Sequence, residues 1–316
     1  MLTQNRAVDE IISAAKSIAE DIKLIRFGSK ETSQHQDVLL SYLAENMELN
    51  QLYLKLKQTR IYATTIASVL YNPEILNITK FNIAIIDEAS QILEPYLINI
   101  ISQVDKFILI GDEKQLPAII SLNDEDTEVK IDELKSIGLT NFKLSFFERL
   151  LNLCISNAWD DAYILLNLQA RMNVEIQDFP NNYFYYSKLK TMNNNQNNTY
   201  SKYYKHIRSK FLSDILKHRI IFINTKQENY SKINLSEVNF IKKFINDFFE
   251  EFHNIENNTI GIISPFRAQC AEILKQLNDK QKQLITCDTV ERFQGSERDI
   301  TVSYTHLRAH ETPEHL

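Results

Sequence analysis

The chain predicts an α/β protein of two domains, each a parallel sheet with helices on both faces. Three observations carry that expectation. Apolar runs at residues 83–86 and 107–110 have the length of buried strands, and each ends abruptly in polar residues. A helix-length stretch, residues 92–104, joins them as a crossover, which makes a βαβ unit. The second half repeats the alternation, with apolar runs at residues 164–168, 220–224 and 259–264 and helical patterns at 236–252 and 268–277. With 316 residues and 44% hydrophobic content, the chain can build two cores.

The first half opens on a helical pattern, with Val8, Ile11, Ile12, Ala15, Ile18 and Ala19 on one face. Residues 23–27 read as a short strand. Residues 31–58, with Val38, Leu39, Tyr42, Leu43, Leu49, Leu52, Leu54 and Leu56, read as a helical insertion. Residues 60–68 form a strand that ends in hydroxyls, and residues 122–133 an acidic, exposed loop. The domain boundary is set after residue 157, so that residues 1–157 and 158–300 are the two domains. Residues 185–210, rich in Asn, Tyr and Lys, read as a low-complexity surface loop.

Composition removes several function classes. The formal charge is −6, so a nucleic-acid contact has to be local. Cys154, Cys270 and Cys287 lack metal spacing and even pairing, which suits buried thiols in a reducing cytoplasm. No apolar run approaches the roughly 18 residues of a membrane span, so no membrane partner is expected. No apolar core follows a basic start, so no signal peptide is expected. Glycine occurs five times, and no two glycines flank four residues ahead of Lys and Ser or Thr. A phosphate loop is therefore absent from these residues.

The strand ends carry the chemistry. Buried parallel strands finish at an edge where ligands bind. Asp87 there suits a magnesium ion, held directly or through water. Glu88 suits a general base that orients and deprotonates an attacking water. The second strand runs through Gly111 to Asp112 and Gln115 on the same edge, an arrangement suited to nucleotide hydrolysis.

Asp-Glu-Ala-Ser-Gln at residues 87–91 and Gly-Asp-x-x-Gln-Leu-Pro at residues 111–117 resemble motifs II and III of superfamily 1 helicases. The branch they resemble is that of the 5′→3′ RNA/DNA helicases of the nonsense-mediated-decay and senataxin type. Further resemblances follow in family order. Asn-x-Ala-Val-Asp at residues 5–9 resembles motif Ia, and residues 60–68 resemble motif Ic. Residues 144–153 resemble the family's Ser-Leu-Phe-Glu-Arg-Leu helix. Gln169-Ala170-Arg171-Met172 resembles Gln-Tyr-Arg-Met, with Ala170 in place of Tyr and Val174 in place of a following Pro. Pro265-Phe266-Arg267-Ala268-Gln269 resembles Pro-Tyr-Arg-Ala-Gln, and residues 288–299 resemble motif V.

The resemblance implies two RecA-like domains, the first incomplete at its N-terminus. It implies ATP and magnesium as cofactors, with nucleotide between the domains and single-stranded DNA or RNA across both. It implies Asp87, Glu88, Gln115 and Arg171 as catalytic, with Arg171 an arginine finger on the γ-phosphate. Asp112, Gln169, Gly295 and Glu297 would border the nucleotide. Thr3, Asn5, Thr64, Thr65, Pro265, Arg267 and Thr289 would contact nucleic acid.

The pattern fails after Ile300, where motif VI is missing. Residues 302–312 resemble an in-frame translation of a transposase-based sequencing-library adapter, so residues 301–316 are expected to be a non-native tail. His306 and His310 are accordingly not read as metal ligands. Two other readings stand beside the helicase: an ATPase-dead binding or scaffold module, and the helicase part of a nuclease-fused defence protein. Retention of Asp87, Glu88, Gln115 and Arg171 together argues against decay.

Overall fold

The structure is a computed structural model that describes residues 5–19, 21–120, 122–197, 207–225, 232–253, 255–256 and 259–303. The chain divides into two compact units, Met1–Ile164 and Leu165–Leu316. Trp159 N–H donates to the Cys154 carbonyl and ties the following turn to the preceding helix.

The first unit begins with helix α1 (Asn5–Ile18), whose Val8 and Ile12 are buried. Strand β1 (Leu24–Arg26) pairs in parallel with β2 (Ile61–Ala63). Between them lie two short 3-10 turns and helices α2 (Leu40–Asn46) and α3 (Leu49–Gln58). Helix α4 (Ile66–Tyr71) follows β2 and is capped by Thr65, which accepts from Ser68 N–H. Strand β3 (Ile83–Ile86), helix α5 (Glu94–Ile101) and strand β4 (Lys106–Leu109) complete a parallel βαβ unit. Helices α6 (Asp132–Ser136) and α7 (Phe146–Ser156) close the unit.

Strands β3 and β4 are covered on one face, not both. Ala84 and Ile86 pack with Leu97, Ile100 and Phe146 from α5 and α7. Ile83, Ile85, Ile108 and Ile110 on the other face are each about half exposed. Of the two expected buried strands, β3 therefore alternates in burial, while β4 is exposed at Lys106, Phe107 and Ile108 and half-buried only at Leu109. The expected exposed loop at residues 122–133 is also pinned in its middle. Thr127 and Val129 are buried, and each bonds through its backbone to the segment at residues 140–142.

The second unit opens with β5 (Leu168–Gln169), helix α8 (Val174–Tyr183) and β6 (Lys190–Thr191), the two strands parallel. Helix α9 (Lys210–Ile215) and the long helix α10 (Leu235–Glu251) lead to β7 (Ile260–Ser264). After it come α11 (Arg267–Gln276), α12 (Asp279–Leu284), β8 (Ile285–Thr289), α13 (Val290–Phe293) and β9 (Ile300–Ser303). Strand β7 is central, flanked by β8 and β9 in an all-parallel sheet. The stripe Val238, Ile241, Phe244, Ile245 and Phe248 of α10 packs with Ile260, Ile262 and Ile273 into the core.

The expected strand at residues 60–68 is only β2, with α4 beginning at Ile66, and of the run at residues 164–168 only Leu168 is in a strand. The apolar run at residues 220–224 forms no strand. Residues 220–223 and 300–303 line a cavity of about 900 Å³, and among the described residues, 220–224 join no ladder. Strand β9 runs from Ile300 to Ser303, and Val302 packs on the core. Thr3, His306, His310 and residues 304–316 lie outside the described residues.

Candidate active site and nucleic-acid edge

In the first unit the site is built where β3 and β4 end. Ile110 N–H donates to the Ile86 carbonyl at 2.8 Å, and Ala89 N–H donates to the Ile110 carbonyl at 2.8 Å. These bonds extend the ladder past both strands and fix Asp87–Glu88 beside Gly111–Asp112. Gly111 is obliged by closeness: a Cβ there would lie 3.0 Å from Ser90 N and 3.3 Å from its Oγ. Asp112 N–H in turn donates to Ser90 Oγ at 3.3 Å. Ser90 thus joins the two motifs, a role that sequence reasoning missed. The signal was available, since glycine is scarce and one stands at the strand end.

Asp87 Oδ1 accepts from Glu88 N–H at 2.9 Å. Glu88 sits in the left-handed region at φ 53°. For a non-glycine residue this costs on the order of 1–3 kcal/mol and is typical of functional sites. Its Oε2 accepts from Gln91 Nε2 at 2.6 Å. Asp112 Oδ2 accepts from Gln115 Nε2 at 2.9 Å, and its Oδ1 from Lys114 N–H at 3.0 Å. Asp87, Glu88 and Asp112 are half-buried and Gln115 is exposed. Burial, and then the Glu113 carboxylate, push the nearby Glu148 carboxyl above the usual range.

In the second unit Gln169 staples a turn. Its Nε2 donates to the Met172 carbonyl and to Gln177 Oε1, and its Oε1 accepts from Met172 N–H. Gln196 adds donations to the carbonyls of residues 169 and 172. Arg171, at the tip, is largely exposed and donates from Nε to Glu297 Oε2 at 3.0 Å. Gly295 adopts φ 74° with nothing near its Cβ position, so its backbone conformation, not crowding, requires glycine. Next to Glu297, Arg298 lies over the Phe293 ring and donates to Thr286 Oγ1.

The residues expected at nucleic acid divide by environment. Pro265 and Arg267 are exposed just past the end of β7. Thr289 ends the adjacent β8, paired with Ser264, so all three share one sheet edge. Thr289 itself is buried. Thr64 and Thr65 are buried too, and Thr65 spends its hydroxyl capping α4. Asn5 Oδ1 accepts from the buried Arg26 Nη2 at 3.2 Å.

The donors fit the implied groups. Asp87, Glu88 and Asp112 stand at the same strand edge, and carboxylate oxygens are the ligand type that magnesium takes. Among the described residues no three His, Cys, Asp or Glu side chains form a cluster that could hold a metal ion by themselves. Among the described residues, no helix is long and apolar enough to cross a membrane.

Parallel α/β units, the first with acidic strand ends and the second with an exposed arginine turn, are consistent with RecA-like domains. A family profile described as an AAA domain matches residues 142–314, and a second AAA-domain profile matches residues 48–122. The chain belongs to this AAA-domain family and is similar to superfamily 1 helicases of the senataxin type. The match extends past Ile300, as β9 does. The chain is 27% identical to DNA polymerase alpha-associated DNA helicase A of Saccharomyces cerevisiae, over 91% of the chain and 43% of that relative. It is 25% identical to helicase sen1 of Schizosaccharomyces pombe, over 93% of the chain and 17% of that relative. It is 29% identical to the probable helicase senataxin of Homo sapiens, over 70% of the chain and 8% of that relative. The chain thus spans less than half the length of these relatives.

Proposed function

We propose that the chain is the motor segment of a longer helicase that couples ATP hydrolysis to movement along single-stranded DNA or RNA. The observation that supports this best is the stitched pair of strand ends, where Ile110, Gly111 and Ser90 hold Asp112 beside Asp87 and Glu88. Asp87 and Asp112 would hold magnesium and its water. When bound, that ion neutralises charge developing on the transferred phosphate. Glu88 takes the proton of the attacking water, and Gln91 orients its carboxylate. Gln115 orients the water or phosphate. Arg171 supplies positive charge to the γ-phosphate, leaving Glu297 to do so. Pro265 and Arg267 line the track for the strand, and Thr289 is buried at the end of the adjacent strand on that edge. The free, buried thiols Cys154 and Cys270 support a reducing compartment such as the cytoplasm.

The chain alone is expected to show no nucleic-acid-stimulated turnover, because none of its residues supplies the phosphate loop. Joined to an upstream phosphate-loop segment, it should hydrolyse ATP. In that protein Asp87→Ala should weaken magnesium–nucleotide binding. Glu88→Gln should bind normally and lose about 10²–10⁴-fold in kcat. Parental turnover in Glu88→Gln would reject the assignment of the base.

A further inference from the structure

We propose that Lys23, Lys57 and Arg60 form a second phosphate-contact site, holding the sugar–phosphate backbone of nucleic acid beyond the motif edge. Lys23 stands immediately before β1 and Arg60 immediately before β2. The parallel register, Leu24 with Ile61, makes them neighbours at the N-terminal end of that ladder. Thr64 and Thr65 lie at its opposite, C-terminal end. Lys57 reaches the same place from the last turn of α3. With Ile22, Gln58 and Ile61 the three cations line a concavity of about 560 Å³.

Like charges on neighbouring strand positions repel, which sets Lys23 against Arg60. No carboxylate forms an ion pair with any of the three among the described residues. Lys23 donates to the neutral Gln58 amide at 3.0 Å, and Lys57 lies over the Tyr53 ring at 4.5 Å. The negative end of α3 accounts for a cation at Lys57 but not at the two strand starts. That end is also satisfied locally. Thr59 N–H donates to the Lys55 and Leu56 carbonyls, and Tyr62 OH donates to the Leu56 carbonyl. The cations are thus left to face an external anion. The whole chain carries −6, so three unpaired cations in one concavity are a local feature and not part of a basic surface. Tyr53 and Ile61 are exposed beside them, as interleaved aromatics and cations are where strands bind.

This inference rests on the helicase reading, because a phosphate backbone is the polyanion such a protein meets. The test uses the full chain carrying Lys23→Gln, Lys57→Gln and Arg60→Gln together. Binding of a short labelled single strand and of one several times longer is measured over a range of salt. All three residues are exposed, so the melting temperature serves as the folding control. The longer strand should bind the variant more weakly, and the slope of log affinity against log salt should shrink by about 2, at roughly 0.7 per phosphate contact. The short strand should bind the variant as it binds the parent. An unchanged slope on the longer strand rejects this site while leaving the helicase reading intact. Failure of the parent chain to bind either strand rejects both. If polyglutamate loses as much affinity as the longer strand, the surface is a general acidic dock and the nucleic-acid assignment falls.

Discussion

Arg26 is a charged side chain with no exposed surface. Its Nη1 donates to Asp9 Oδ1 at 2.5 Å, and its Nη2 reaches Asn5 and the Thr32 carbonyl. One guanidinium therefore fixes the start of α1, its first turn and the loop after β1. Asn5 is held by it, so Arg26 positions a residue expected at the strand. Removing one partner of a buried pair leaves the other charge unpaired. Arg26→Met should lower stability by about 3–5 kcal/mol, measured by denaturant unfolding. Arg26→Met with Asp9→Asn should recover part of that loss, because the orphaned carboxylate is gone. A single variant within 1 kcal/mol of the parent would mean that Arg26 is not what holds Asn5 and α1.

At the scale of elements, β7 shows what its neighbours demand. A Cβ on Gly261 would lie 2.8 Å from Arg298 Cγ and 2.8 Å from the Phe293 ring. Gly261→Ala should cost about 1–3 kcal/mol through overpacking, read as a lower melting temperature. Pairing it with Phe293→Leu should return part of the loss. An unchanged melting temperature would show that the ring and Arg298 move aside freely. Much of this architecture was legible beforehand. The run Ile83 to Ile86 reads as a strand because it is apolar and stops at Asp87, and the structure has that strand. Contacts between distant positions were not legible. Ser90 against Gly111, Arg171 against Glu297 and Arg26 against Asn5 depend on how strands and turns meet. The run at residues 220–224 misled because it is apolar like a strand, while pairing needs a partner the sequence does not name.

At the scale of the molecule, Glu88 and Arg171 stand in different compact units, yet the proposed reaction needs both. Arg171 donates to Glu297, and both side chains are more than 60% exposed. A surface pair of that kind is worth about 0–1 kcal/mol of stability and nothing in turnover. An arginine that stabilises charge on a transferred phosphate is worth about 10³–10⁵ in kcat. The two roles therefore separate by orders of magnitude in one assay. Lysine offers a point charge where a planar fork is needed, so it keeps the charge and loses the geometry. In the protein joined to a phosphate-loop segment, Arg171→Lys should fold and bind single strands as the parent does, and lose most nucleic-acid-stimulated turnover. Glu297→Ala serves as the control for the ion pair, since it removes the partner and keeps the arginine. If Arg171→Lys and Glu297→Ala both retained parental turnover and only lowered the melting temperature, Arg171 would be a structural cation. The second unit would then serve the strand alone.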